Sequence, residues 1–230
     1  AVDQTAAVGD RHATPALQQF DHARRAHIAL CRFALPADGA GVREVLLVGE
    51  IEEAFALRER FPGSLIMGEA GGQPVEGFDF GNSPSALIGL DLSGRRMIQR
   101  TSAGTQGIVR SQQADALLTA SFVCAAATVR YLKRQSPASV TFVVTGVHFN
   151  VDGDEDAACA DYLAALLRGQ SPDAAPYLER VRHSSDGRFF AERPPRFPIA
   201  DLDCCLALDR FDFAMPVERR DGLLVMRAAI

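Results

Sequence analysis

No apolar run in this 230-residue sequence approaches the ~18 residues that a membrane-spanning helix requires, which argues against a helical membrane protein. The first residues lack the charged-then-apolar pattern of a secretory signal. Positive charge is not in surplus either: 24 Lys and Arg face 29 Asp and Glu, the net charge is -5, and no basic face is hinted at. Nucleic acid is therefore not the expected partner. A disulfide framework is also missing. The five cysteines are odd in number, Cys204 and Cys205 are adjacent, and no Cys-x-x-Cys occurs. Reduced thiols and a cytoplasmic location are expected. Internal repeats and low-complexity tracts are absent as well.

What is present reads as one α/β unit, residues 1–230, long enough to bury a sizeable core. Residues 1–20 are weakly patterned, and lobes at about 21–110 and 111–230 are compatible with the order of segments. Glu44 to Val48 reads as a buried strand, and Glu50 to Phe61 as a helix with Ile51, Ala54, Leu57 and Phe61 on one face. Pro62 and Gly63 end that helix, and Ser64 to Met67 forms the next strand. This is a βαβ unit, so parallel strands with a ligand beyond their carboxyl ends are expected. Further strands are read at Ala86–Leu92, Arg95–Gln99, Asp115–Ser121 and Val140–Val144. Helices are read at Phe122–Arg134, from the acidic run to Arg168, from Ser171 to about Val181, and at Phe197–Leu208, with Ser184–Gly187 as a loop. A turn and a strand close the chain.

Three segments carry chemistry. The first is the loop Gly68 to Pro84, with five glycines and two prolines yet also Glu69, Asp79, Asn82 and Ser83. Such a loop can bring backbone N–H groups to an anion and hold a hard cation nearby. It can equally be a long surface turn. The second, Arg100-Thr101-Ser102-Ala103-Gly104-Thr105, stands at a strand-to-helix junction. There free amides and hydroxyls can cradle a phosphate, or Thr101 or Ser102 can merely cap the helix. The third is the acidic run Asp152, Asp154, Glu155 and Asp156 after the apolar strand that starts at Val140. Carboxylates favour a helix start, but four so close repel unless a cation or solvent separates them. Cys159 lies one turn farther on the same face and reads as packing.

These segments resemble the signature elements of the 2-phosphosulfolactate phosphatase family. The similarity covers Gly68-Glu69 and Gly77-Phe78-Asp79-Phe80-Gly81-Asn82-Ser83-Pro84, the threonine-bearing segment ending in Gly104-Thr105, Ser121-Phe122, and Glu155-Asp156 with Cys159-Ala160. Asp21, Arg24 and Ala26 correspond to an Asp/Arg/Ala segment of the family. The sequence departs from the family at Ala70, Ala86, Ala103, Cys124 and Asp161, where Arg, Glu, Asn, Asn and Gly are usual. The resemblance implies a Mg²⁺-dependent phosphomonoester hydrolase acting on a small phosphorylated, sulfonated acid, with a place in coenzyme M biosynthesis. It implies Mg²⁺ on Asp79, Glu155 and Asp156, with Glu69, Asp79 and Asp156 as catalytic groups. Asn82, Ser83, Arg100, Thr101, Ser102, Gly104 and Thr105 would hold the substrate, and Asp79 would be the nucleophile if a phosphoenzyme forms. Asp21, Arg24, Asp152 and Cys159 stand at the margin of this site. The departures leave a second reading open, a catalytically silent or substrate-shifted relative that binds a phosphorylated or sulfonated metabolite.

The expected fold is a three-layer α/β/α arrangement around a mostly parallel or mixed sheet. Homo-oligomers are left open. All three segments are expected at one edge of the sheet, converging on one pocket.

Overall fold

In the computed structural model, residues 25–30, 41–145, 153–192 and 197–230 are described. Asp21, Arg24 and Asp152 lie outside them. The strands are β1 (Arg25–Leu30), β2 (Glu44–Val48), β3 (Leu65–Gly68), β4 (Arg96–Arg100), β5 (Ala116–Ala120), β6 (Ser139–Val143), β7 (Met215–Arg220) and β8 (Leu223–Met226). The helices are α1 (Ile51–Arg60), α2 (Gly104–Arg110), α3 (Ala125–Gln135), α4 (Asp154–Leu167), α5 (Ala175–His183), α6 (Ser185–Glu192) and α7 (Ile199–Cys205). The strands form one eight-stranded mixed sheet in the order β3-β4-β2-β8-β7-β5-β1-β6.

The pairing directions divide this sheet into two parallel triplets. β2, β4 and β3 run together, and β5, β1 and β6 run together. Between them the β7–β8 hairpin pairs antiparallel with itself, with β2 and with β5. Three antiparallel contacts in succession reverse the direction once overall, so the two triplets point opposite ways. The hairpin turn explains the tight reversal. Asp221 and Gly222 adopt φ of 51° and 78°, the left-handed pair that a two-residue hairpin turn demands.

Alternating side chains build the layers. Leu46, Val48, Ile66 and Ile98 face α1 through Ala54 and Leu57. On the same side of the sheet, Ile28, Leu118, Ala120 and Phe142 pack against α3 and α4 through Val129, Leu132, Ala158 and Leu163. The other face carries Val45, Leu47, Met67, Met97, Met215 and Val217 under Leu87, Leu92 and Ile108. Each fully buried aliphatic side chain contributes about 1.5–3 kcal/mol.

Three readings of the sequence need correction. Ala86–Leu92 is not a strand but a short 3₁₀ turn, Ser85–Leu87, followed by irregular chain. Gly89 at φ +81° breaks the extended run, and Leu87 is buried while Ile88 is exposed. Ser184–Gly187 is not a loop: Ser184 caps α6, its hydroxyl accepting from Gly187 N at 3.0 Å. A Cβ on Gly187 would stand 2.1 Å from the Val181 carbonyl oxygen, so glycine permits this close helix approach. The helix expected from Ser171 starts at Ala175 instead, where the Asp173 carboxylate accepts from Ala175 N at 3.0 Å.

One buried carboxylate ties the hairpin to the first triplet. Glu44, 4% exposed at the start of β2, accepts from Arg96 on β4, with Nη2 at 2.6 Å and Nε at 2.7 Å. Arg220 of β7 and Arg227 after β8 reach its other oxygen, and Arg43 adds a contact at 3.3 Å. Burial pushes the Glu44 carboxyl upward, but hydrogen bonds and charge from Arg96 and Arg227 together outweigh it and hold the pKa at about 2. The folded value is depressed, so the stabilisation is fully present above the ordinary value of 4.5 and is lost as pH falls toward about 2. Glu44→Gln is expected to destabilise the fold by roughly 3 kcal/mol near pH 7. In chemical denaturation across that range, the gap between parent and variant should close as pH falls.

Candidate active site

The first triplet ends in a compact polar cluster built from the ends of three strands. Gly68 closes β3 at φ +139°, and a Cβ there would lie 1.7 Å from the Arg100 carbonyl oxygen, so only glycine lets β3 leave this close to β4. Arg100, the last residue of β4, donates from Nη1 to the Glu69 carbonyl at 2.8 Å and from Nε to the Gly49 carbonyl at 3.2 Å. One guanidinium thereby fastens the exits of β2, β3 and β4. Gln106 Nε2 reinforces the first of these by donating to Gly49 O at 2.8 Å.

The Glu69 carboxylate lies against the turn after β4. Its Oε1 accepts from Ser102 N at 2.5 Å, and its Oε2 accepts from Ser102 Oγ at 2.9 Å and Gly72 N at 2.7 Å. Ser102 Oγ in turn accepts from Gly71 N at 2.6 Å and from Arg100 Nη1 at 3.3 Å. Two backbone amides, a hydroxyl and a neighbouring guanidinium around one anion form an oxyanion cradle. Here a side chain of the protein itself fills that cradle.

The two threonines of this turn play a different part from the one expected. Thr101 and Thr105 are buried and bond to each other: Thr101 N donates to Thr105 Oγ1 at 2.9 Å, and Thr105 N donates to Thr101 Oγ1 at 3.0 Å. Thr105 Oγ1 donates back to Thr101 O at 2.9 Å. This reciprocal pair satisfies amides at the start of α2, which begins at Gly104. It shapes the turn rather than offering hydroxyls to a ligand.

Asp79 is in the same triplet but away from the cradle. Its Oδ2 accepts from Ile66 N at 2.8 Å and its own N–H donates to Ile66 O at 2.9 Å, so the loop runs along the outer edge of β3. Arg58 stands 3.7 Å from the carboxylate in a half-exposed pair worth little by itself. Ile66 precedes Glu69 by three residues, on the order of 10 Å along a strand. Beyond Gly81 the loop turns toward α7. Ser83 Oγ donates to Asp201 Oδ1 at 2.8 Å, next to Asn82 in the chain.

Glu155 and Asp156 belong to the other triplet. Both are buried in the first turn of α4, and Asp156 Oδ2 accepts from Thr145 N at 2.9 Å and Thr145 Oγ1 at 3.0 Å, just beyond β6. β3 and β6 are the two opposite edges of the sheet. Seven strand spacings of ~4.8 Å place Asp79 and Asp156 on the order of 30 Å apart. A single Mg²⁺ shell with ligands at about 2.1 Å cannot contain both. The expected convergence of all three segments at one edge is thus corrected, because the central hairpin sends β6 out of the opposite end from β3 and β4. Nor is part of the acidic run left to repel. Arg180 pairs with Asp154 and, at 2.7 Å, with Asp161.

Among the described residues, no group of three or more His, Cys, Asp or Glu side chains is placed to hold a metal ion. Glu155 and Asp156 supply hard oxygen donors of the right kind, but they form only part of a shell. Cys159 beside them is buried, and burial followed by the Asp156 charge pushes its thiol well above its ordinary value, which makes it a poor nucleophile. Two residues of consequence escaped the sequence reading, Arg180 and Asp201. Asp201 had one visible signal, a carboxylate set between the apolar residues Ala200 and Leu202. No helix among the described residues is long and apolar enough to cross a membrane.

The family of 2-phosphosulpholactate phosphatases matches residues 37–219. A protein of Bacillus subtilis (strain 168) named "Probable 2-phosphosulfolactate phosphatase" is 32% identical over 184 residues, covering 79% of each chain. Proteins of the same name from Parasynechococcus marenigrum and Gloeobacter violaceus are 29% and 30% identical, over 80% and 82% of this chain and 83% and 84% of theirs. The chain belongs to the 2-phosphosulpholactate phosphatase family.

Proposed function

We propose that the protein hydrolyses 2-phosphosulfolactate to 3-sulfolactate and phosphate, and that the phosphoryl group binds in the cradle at the ends of β3 and β4. The observation that carries this reading is the Glu69 carboxylate held by Ser102 N, Ser102 Oγ and Gly72 N. An anion already sits where donors converge, so the turn is preorganised for a phosphate oxygen. Family membership supplies the reaction, hydrolysis of a phosphoric monoester.

The substrate phosphoryl enters by replacing the Glu69 carboxylate on those three donors. Arg100, fixed by Gly49 and Glu69, lends permanent positive charge to the equatorial oxygens. The displaced Glu69 carboxylate then lies beside the phosphorus and takes a proton from the attacking water. The water oxygen bonds to phosphorus, the ester P–O bond breaks, and the proton passes to the sulfolactate oxygen. Mg²⁺ dependence is part of the proposal on the strength of the resemblance, with Glu155 and Asp156 as the residues that would hold the ion. It would supply charge neutralisation between those carboxylates. Because they stand at the far end of the sheet, no step above passes through it.

Phosphate release from a panel of small phosphorylated acids, with Mg²⁺ and with EDTA, tests the reading directly. Turnover of 2-phosphosulfolactate above the other acids is expected. Turnover confined to another acid would favour the substrate-shifted relative instead, for which the missing cation at Ala70 and the missing carboxylate at Ala86 would account. Ser102→Ala removes a donor to a charged oxygen worth about 1.5–3 kcal/mol, so kcat/KM should fall roughly 10- to 150-fold with the fold intact. Thr105→Val should do the reverse. It leaves the buried Thr101 N–H without its acceptor, costing about 1–3 kcal/mol of stability at little cost to the turnover of folded enzyme. Steady-state kinetics beside denaturation curves separate the two.

Glu69→Ala gives a sharper result. With no carboxylate competing for the cradle, inorganic phosphate should bind more tightly than to the parent, while kcat falls by about 10²–10⁴. Calorimetric titration with phosphate checks the first half, and weaker binding would contradict it. For the cation, the melting point of the parent should rise in millimolar Mg²⁺ and that of Asp156→Asn should not. A parent indifferent to Mg²⁺ would remove Glu155 and Asp156 as its ligands.

A further inference from the structure

The buried Glu44 carboxylate is met by more positive charge than it neutralises. Its Oε1 accepts from Arg96 and, at 3.3 Å, from Arg43 Nη2. Its Oε2 accepts from the Nη2 atoms of Arg220, at 3.2 Å, and of Arg227. One further carboxylate, the exposed Glu218, stands 3.8 Å from Arg227 Nη1. Among the described residues four guanidiniums thus meet two carboxylates, which leaves two positive charges over. Arginine does not lose its proton in a folded protein, so this surplus cannot be relieved by titration.

The surplus is also accessible. Period-two alternation puts Glu44, Arg96, Arg220 and Arg227 on one face of the sheet, the face that Leu46, Ile98 and Val225 present to α1. Arg96 is pinned there between Glu44 and the Phe61 ring, whose centroid lies 4.1 Å from its guanidinium carbon. Arg43, Arg220 and Arg227 instead keep 55%, 43% and 38% of their side chains exposed. Arg43 and Arg220 engage Glu44 through Nη2 alone, so the remaining N–H groups of each planar fork are open to a second acceptor. One carboxylate oxygen gathers both Arg220 and Arg227, so these two guanidiniums stand side by side.

We propose that this arginine cluster is a second anion site, which takes a tetrahedral dianion of the sulfate or phosphate class on the donors that Glu44 leaves unused. A dianion matches the two surplus charges, and its oxygens accept charge-assisted, bidentate bonds from guanidinium forks. The site is separate from the cradle. Glu44 opens β2 and Gly49, to which Arg100 is fastened, follows its far end, on the order of 15 Å away along the strand. Only the folded sheet assembles these arginines, so the bound anion stabilises the fold and reinforces Glu44 in clamping the β7–β8 hairpin to the first triplet.

Sulfate is the probe, because it stays dianionic across the working pH range. The parent's melting point should rise more in sulfate than in sodium chloride at matched ionic strength. In ¹⁵N-labelled parent, the Arg227 Nε–H signal should shift with sulfate and saturate. In Arg43→Gln/Arg220→Gln the Kd read from that signal should weaken by at least about tenfold, and the sulfate-specific rise in melting point should disappear. Ser102→Ala alters only the cradle and should keep the parent's response at Arg227. If the double variant fails to fold, Arg43→Gln alone changes the most exposed of the three arginines and carries the same expectation. A parallel titration with inorganic phosphate ranks the two anions, and saturation of the Arg227 signal by either one supports the site. Equal melting-point rises in sulfate and chloride, or an Arg227 signal that neither anion moves, overturn it. So does a sulfate response that survives in the arginine variants and vanishes in Ser102→Ala, which would assign the anion to the cradle alone.

Discussion

The antiparallel β7–β8 hairpin in the middle of the sheet is the constraint on which the rest of the structure depends. In a fully parallel sheet every strand would deliver its carboxyl end to the same edge, and every loop with chemistry would gather there. Here the hairpin pairs antiparallel on both flanks, so the two parallel triplets face opposite ways. The cradle of Glu69 and Ser102 opens at one end, and the carboxylates of Glu155 and Asp156 lie at the other. Glu44 holds this junction. A single buried carboxylate draws arginines from β4, β7 and the end of β8 together, and without it their like charges would push the hairpin from the first triplet.

Given that division, two features still connect the halves. Asp201 reaches from the C-terminal helix to the Gly81–Ser85 loop, and the core on the side of Leu87 and Ile108 runs beneath both triplets through Leu117, Val123 and Phe213. The signature loop is therefore shared. Its first part, through Glu69 and Gly72, closes the cradle. Its middle lines the outer edge of β3 through Asp79, and its last part docks on α7. One continuous motif in the sequence thus serves three places in space.

Much of the local structure was legible in the sequence because it follows from periodicity. The strand at Glu44–Val48, the helix at Ile51–Arg60 and the strand at Leu65–Gly68 announce themselves by apolar spacing between breakers. The strand-to-helix turn at Thr101–Gly104 was equally clear, although its residues suit a helix cap as well as an oxyanion. What could not be read was direction. The sign of a strand in a mixed sheet is set by pairings between residues such as Leu47 and Leu224, far apart in the chain, and no local pattern encodes them. The expectation of one shared edge failed for that reason. Partner choice was hidden in the same way. Thr101 and Thr105 look like free hydroxyls until their four-residue separation is wound into a turn, and the Asp154 charge looks unbalanced until α5 brings Arg180 to it.

In the proposed reaction the phosphoryl group binds at the turn after β4, with Gly72 and Ser102 as its donors. Titrating inorganic phosphate into ¹⁵N-labelled protein and following the backbone amides tests this most directly. The Gly72 and Ser102 amide resonances should shift together and saturate at one affinity, while the Thr145 amide at the opposite end of the sheet stays in place. Saturable shifts centred on Thr145 and the start of α4, with Gly72 and Ser102 unmoved, would contradict it.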